Sequence, residues 1–255
     1  MSVKTYDFIF SLGAACSCTQ ALRQADFQHA SYPFDWLFGA QLPTRIDLMI
    51  HNFEHFIDLP SLSYVGQTVS IKCDTYYNKD NDITFNHDFL TSVPLAQSYP
   101  EVMKKYQRRI NRLFTKIAQS SRVLAVYTEL PSSSRQVADP VLIKSLEKLQ
   151  QKYPAQQIDL CYIAADTHLP RQTFHSQQLT PHILKITANY TSGIPNQPAH
   201  VADIFFLSQL LRRFYKLNLP FLFRFKRFCT KCAIQWFVFN SDTRKKLRKR
   251  YHITA

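Results

Sequence analysis

The stretch D-F-I-F-S-L-G-A-A-C-S-C-T-Q-A-L-R, Asp7 to Arg23, with S-Y-P-F-D-W, Ser31 to Trp36, decides how this chain is read. Phe8-Ile9-Phe10 is an apolar run of the length of a buried strand, and Ser11-Leu12-Gly13 turns the chain. Cys16 then opens a helical pattern carried by Ala15, Thr19, Leu22 and Ala25. A sulfur at a helix N-terminus meets the partial positive charge of the helix end, which favours thiolate over thiol. The same pattern also fits a small residue buried at a helix–strand junction. Cys18, about 200° further round the helix, reads as packing.

Outward from this stretch, strands and helices alternate. Pro43 and Thr44 open a helical segment through Phe56, and residues 60–85 read as a hairpin or two short strands. Residues 100–118 predict a helix with Pro100 at its start and an apolar stripe through Val102, Tyr106, Ile110, Leu113 and Ile117. R-V-L-A-V-Y-T, I-D-L-C-Y-I-A-A and H-I-L-K-I-T-A read as buried strands, with an amphipathic helix over 140–153 after the first and a helix from His200 to Leu217 after the last. The pattern predicts an α/β layered fold with a mostly parallel central sheet, flanking helices and a small β-hairpin insertion. Ligands of such sheets bind beyond the carboxyl ends of the strands, where Cys16 would lie.

The formal net charge of +13 is concentrated at one end. Residues 204–255 hold 13 Lys/Arg against one acid, and the rest of the chain is close to neutral. We therefore divide the chain into an α/β unit, 1–217, and a basic aromatic tail, 218–255. On a helix, Phe221, Phe225, Phe228 and Trp236 share one face, and Arg224, Arg227 and Lys231 another. An apolar face beside dense cationic charge suits an anionic membrane surface. It also fits a helix packed on the domain, while nucleic acid is disfavoured because no recognised motif accompanies the charge. Six cysteines without a stapled-scaffold spacing read as reduced thiols in a cytoplasm, so the expected location is the inner face of a membrane.

With four glycines and neither G-x-G-x-x-G nor a P-loop, no nucleotide cofactor is expected. H-N-F-E-H, His51 to His55, matches an inverted zinc-peptidase pattern with its histidines at i and i+4, but it lacks an evident third ligand. Cys229 and Cys232 form a lone C-x-x-C, so no metal is assigned.

The residues Ser11, Leu12, Gly13, Cys16, Leu22, Arg23 and Pro33 to Trp36, with N-H-D-F at Asn86 to Phe89 and K-Y-Q-R-R-I-N-R-L at Lys105 to Leu113, carry a resemblance. Over about the first 130 residues the chain resembles a bacterial and viral family of unknown function. Its members bear the description "putative papain-like cysteine peptidase" and often belong to cell-surface polysaccharide gene clusters. The resemblance implies Cys16 as nucleophile and points to His87 for the base, where the residues alone also fit a loop histidine bonded to backbone. Asp35 and Asp88 are equal candidates for orienting the imidazole. Ser11, Gly13, Phe34, Trp36 and Arg109 are candidates for binding substrate, with an aromatic plug and a solvated helix face as the competing readings. The expected activity is hydrolysis or acyl transfer on a glycan or acyl-bearing substrate. The alternatives are a sugar-modifying glycosyltransferase relying on the carboxylates and arginines, and a non-catalytic membrane assembly protein.

Overall fold

Alternation along the strands builds the layers. In a computed structural model, which describes residues 2–131, 136–195, 197 and 201–219, strands β2 (Phe8–Ser11), β7 (Arg122–Thr128), β8 (Gln157–Ala165) and β10 (Ile183–Ala188) lie side by side and parallel. Strand β9 (Phe174–Thr180) closes the far edge antiparallel to β10. Val123, Ala125 and Tyr127 of β7 face one apolar cluster, while Leu124 and Val126 face the other. Successive side chains of a strand point to opposite faces, so a sheet covered on both sides needs apolar residues at nearly every position.

The first cluster is covered by helices α2 (Leu42–Ile50), α3 (Leu95–Ala118) and α4 (Asp139–Lys152). The second is covered by α1 (Cys16–Gln24) and α5 (Ile204–Phe214). The layered, mostly parallel α/β fold expected from the sequence is the fold observed. Strand β2 is the edge strand beside β7, so the chain after α1 passes round that edge from the second cluster to the first. Ala25 and Phe27 lie in the second cluster, and Tyr32 and Phe34 in the first.

Several boundaries differ from expectation. The hairpin is half of an antiparallel sheet ordered β3-β6-β5-β4, built from β3 (Leu37–Gly39), β4 (Leu62–Thr68), β5 (Cys73–Asn78) and β6 (Ile83–Leu90). Helix α3 begins at Leu95 rather than Pro100, with the Pro94 carbonyl accepting from the N–H groups of Gln97 and Ser98. The helix expected to run to Leu217 stops at Phe214, because Tyr215–Leu217 form β11, which pairs in parallel with β1 (Lys4–Tyr6). The tail, with Phe221, Arg224, Phe225, Arg227, Phe228, Lys231 and Trp236, lies outside the described residues. Among the described residues no helix is long and apolar enough to cross a membrane.

Helix α5 has the best-defined start: Asp203 Oδ1 accepts from Phe206 N at 2.9 Å, and Oδ2 accepts from Gln172 Nε2 at 2.9 Å. Asp203→Ala is expected to cost about 1 kcal/mol in urea unfolding. A loss indistinguishable from zero would mean the cap does not hold α5 in place.

Candidate active site

The turn into α1 is built by close packing. Leu12 N and Ala14 N donate to Val126 O (2.7 Å) and Thr128 O (3.1 Å), so the chain hugs β7 beyond the end of β2. A Cβ on Gly13 would fall 2.2 Å from Cys18 Cβ, so only glycine lets α1 approach this closely. Ser11 is buried, and its Oγ accepts from Gly13 N at 3.2 Å. Ser11 and Gly13 therefore shape the turn. Gly39 N donates to Ala14 O at 3.0 Å, and the fully buried Arg45 holds the Gly39 and Ala40 carbonyls from below (2.6 and 3.2 Å).

Cys16 is the first residue of α1 and is half-buried. No side chain caps this helix end, and no acid lies in its first turn. The Ser17 hydroxyl is buried without a partner. Burial pushes the Cys16 thiol above its ordinary range, against a lowering hydrogen bond from its own backbone. Desolvation thus opposes the thiolate that the helix position favours.

Asp35 is fully buried. Its carboxylate accepts from Thr19 Oγ1 on α1 (3.0 Å), from Gln28 Nε2 (2.7 Å) and from Tyr32 N (2.8 Å), with Arg23 Nη2 at 3.9 Å. It fastens α1 to the loop that rounds the sheet edge and makes no hydrogen bond to His87.

His87 owes its position to a bulge. Tyr76 pairs with Phe85 and Asp74 with Phe89, so Asn86, His87 and Asp88 stand opposite Thr75 alone. A bulge re-aims side chains that strict alternation would fix. His87 is turned to the surface against Trp36, with ring centroids 6.0 Å apart. Partial desolvation lowers its imidazole below the ordinary range, which favours the neutral ring. Asp88 is turned inward, pairs with Lys105 and accepts from the Tyr106 hydroxyl at 2.8 Å. Neither carboxylate proposed to orient His87 is therefore bonded to it. Among the described residues, no hydrogen bond joins the Cys16 sulfur to an imidazole.

The remaining candidates separate in the same way. Phe34 is fully buried against Phe53 (5.2 Å) and Phe56 (6.1 Å), within the core. Trp36 is half-buried beneath the Arg23 guanidinium, 5.3 Å from its ring. Arg109 lies over the Tyr106 ring at 5.1 Å, with its Nη1 buried and unpartnered. Arg23 belongs to this group although only its place in the L-R motif pointed to it; no charge pattern in the sequence marks its neighbourhood. His51 and His55 fall outside any helix, because α2 ends at Ile50 and Asn52, Phe53 and His55 take positive φ. Their helical zinc spacing is thereby lost, and no group of three or more His, Cys, Asp or Glu that could hold a metal occurs among the described residues.

A layered α/β domain with a half-buried cysteine opening a helix beyond the first sheet strand defines a thiol-bearing candidate site. The chain belongs to the family described as putative papain-like cysteine peptidase (DUF1796), whose model matches residues 7–168. That match takes in Cys16, the P-F-D-W loop, the bulge and α3, and at a coarse level it supports a cysteine hydrolase. No curated protein and no solved structure matches the chain.

Burial pushes the Asp35 carboxyl up to about 6, against its hydrogen bonds and Arg23. The folded chain then holds this proton more tightly than the unfolded chain, where aspartate titrates near ~3.9. The contribution to stability is whole below that value and is lost as pH rises to about 6. Urea unfolding of Asp35→Asn, which cannot ionise, should gain on the parent across this window by about 3 kcal/mol. A difference constant with pH would refute the assignment.

Proposed function

We propose that the protein is a cysteine-dependent hydrolase or acyltransferase in which Cys16 is the nucleophile and His87 the base. The observation that carries this reading is the half-buried Cys16 sulfur at an uncapped helix N-terminus, within the family match. A neutral imidazole is the form able to accept a proton, and a thiol whose ionisation burial disfavours needs such a base.

In the proposed reaction, substrate binding draws the His87 ring from the edge of Trp36 to the sulfur. His87 removes the thiol proton as Cys16 Sγ bonds to the carbonyl carbon, and the carbonyl π electrons move to oxygen. The N–H groups of Cys16 and Ser17 at the helix end would receive that oxyanion. Collapse expels the alcohol or amine, which takes the proton from the imidazolium and leaves a thioester. Water, or an acceptor hydroxyl for transfer, then attacks with His87 again as base, and the sulfur recovers its proton. Trp36 would border the acyl group. The alternative resting on Asp35 and Asp88 has less support, since both are engaged in buried hydrogen bonds.

The proposed substrate is an acyl-bearing surface-glycan intermediate, met at the cytoplasmic face of a membrane to which the tail binds. The charge of residues 204–255 supports the membrane part of that reading.

Incubation with p-nitrophenyl acetate should place one acetyl group on Cys16 by mass spectrometry. Cys16→Ala should abolish it, and His87→Gln should slow it ~10²-fold or more. Iodoacetamide labelling of Cys16 should rise with pH to a midpoint above that of an unperturbed thiol. Acetylation that survives loss of Cys16 would end the proposal.

For the tail, the full chain should sediment with phosphatidylglycerol vesicles and not with phosphatidylcholine. Replacing Arg224, Arg227 and Lys231 by Gln should weaken binding by about 1 kcal/mol each. Equal binding to both vesicles would remove the electrostatic part of the reading.

A further inference from the structure

Beside His87 and Trp36 the molecule collects more positive charge than it neutralises. Arg23 comes from α1, and Lys105, Arg109 and Arg112 come from α3. Lys105 is matched by Asp88. Arg23 pairs with Asp35 at 3.9 Å, and the Asp35 oxygens already accept from Thr19, Gln28 and Tyr32. Arg112 Nη1 donates to the Ser31 carbonyl (2.7 Å) and Arg23 Nη2 to the Ser31 hydroxyl (2.9 Å), both neutral acceptors. Two guanidinium nitrogens, Arg23 Nε and Arg109 Nη1, are buried and unpartnered. Each forgoes a hydrogen bond inside the protein, which is unfavourable when nothing replaces it. Arg23 and Arg109 also repel one another. Two like charges held close together with free donors are what a dianion would relieve.

We propose that Arg23 and Arg109 form a subsite for a phosphate group carried by the substrate. Arg23 lies seven residues from Cys16 on the same face of α1, two turns or ~10 Å along the helix. A phosphate held there would leave an acyl carbon within reach of the sulfur at the other end of that face. His87 and Trp36 would flank the span between them. As a statement about substrate class this rests on the cysteine-hydrolase reading; as an anion site it stands without it.

The test uses the full chain with Trp236→Phe, leaving Trp36 as the single tryptophan. The Arg23 guanidinium over its ring makes Trp36 emission a reporter of anion binding. Titration with inorganic phosphate should give a saturable change, unaltered by Cys16→Ala and weakened at least ~10-fold by Arg23→Gln or Arg109→Gln. Should Arg23→Gln fail to fold, Arg109→Gln decides alone, since Arg109 makes no hydrogen bond among the described residues. Unchanged phosphate affinity in Arg109→Gln, or an equal response to chloride or acetate at matched ionic strength, would overturn the proposal. Phosphate binding that persists while no acetyl group reaches Cys16 would keep the anion site and remove the hydrolase reading.

Discussion

A single buried carboxylate, Asp35, holds the site region together. It binds the hydroxyl of Thr19 in the middle of α1, the amide of Gln28 and the backbone of Tyr32, so the helix and two points of the following loop converge on one side chain. An unpaired carboxylate at this depth would be prohibitive, and its donors are what make burial tolerable. The arrangement fixes where α1 sits relative to the loop that turns round the open edge of β2. With that loop come Trp36, lying under Arg23, and β3, whose pairing with β6 places the bulge that carries His87.

The site therefore forms beside a sheet edge and not in a crevice between diverging strands. The four parallel strands follow one another across the sheet in chain order, so no reversal of strand order opens a cleft within it. The added antiparallel sheet supplies what such an edge lacks, a second wall. Its bulge sends His87 outward and Asp88 inward within two residues. The outward group meets Trp36, and the inward one locks Lys105 and Tyr106 of α3. Bulged positions escape the alternation of a regular ladder, which is how adjacent residues come to serve a surface and a core.

The central strands and the amphipathic helices were legible because their signals are local. V-L-A-V-Y and L-C-Y-I-A-A are apolar at every position, as double-faced burial requires. Strand β9, F-H-S-Q-Q-L-T, was not legible: it is an edge strand whose polar residues meet water, and only its pairing with β10 defines it. Tyr215–Leu217 continue a helical pattern and become a strand because Lys4–Tyr6, more than two hundred residues away, offer them a ladder. Pro100 is a good helix-start signal taken over by a helix already begun at Leu95. Within P-F-D-W, Phe34, Asp35 and Trp36 read as one cluster. They divide into a core ring, a buried hydrogen-bond centre and a half-exposed surface ring.

By itself, the order of residues determined that a cysteine follows the first sheet strand at the head of a helix, because apolar periodicity marks both elements. It also determined the layered class of the fold, since alternating strand and helix patterns leave few ways to bury their apolar faces. The tertiary structure alone decided that burial raises the Cys16 thiol, that Asp35 and Asp88 are engaged away from His87, and that Arg23 lies within electrostatic range of Arg109. Those outcomes depend on desolvation and on hydrogen-bond partners drawn from distant parts of the chain. Neither quantity exists until the chain has folded.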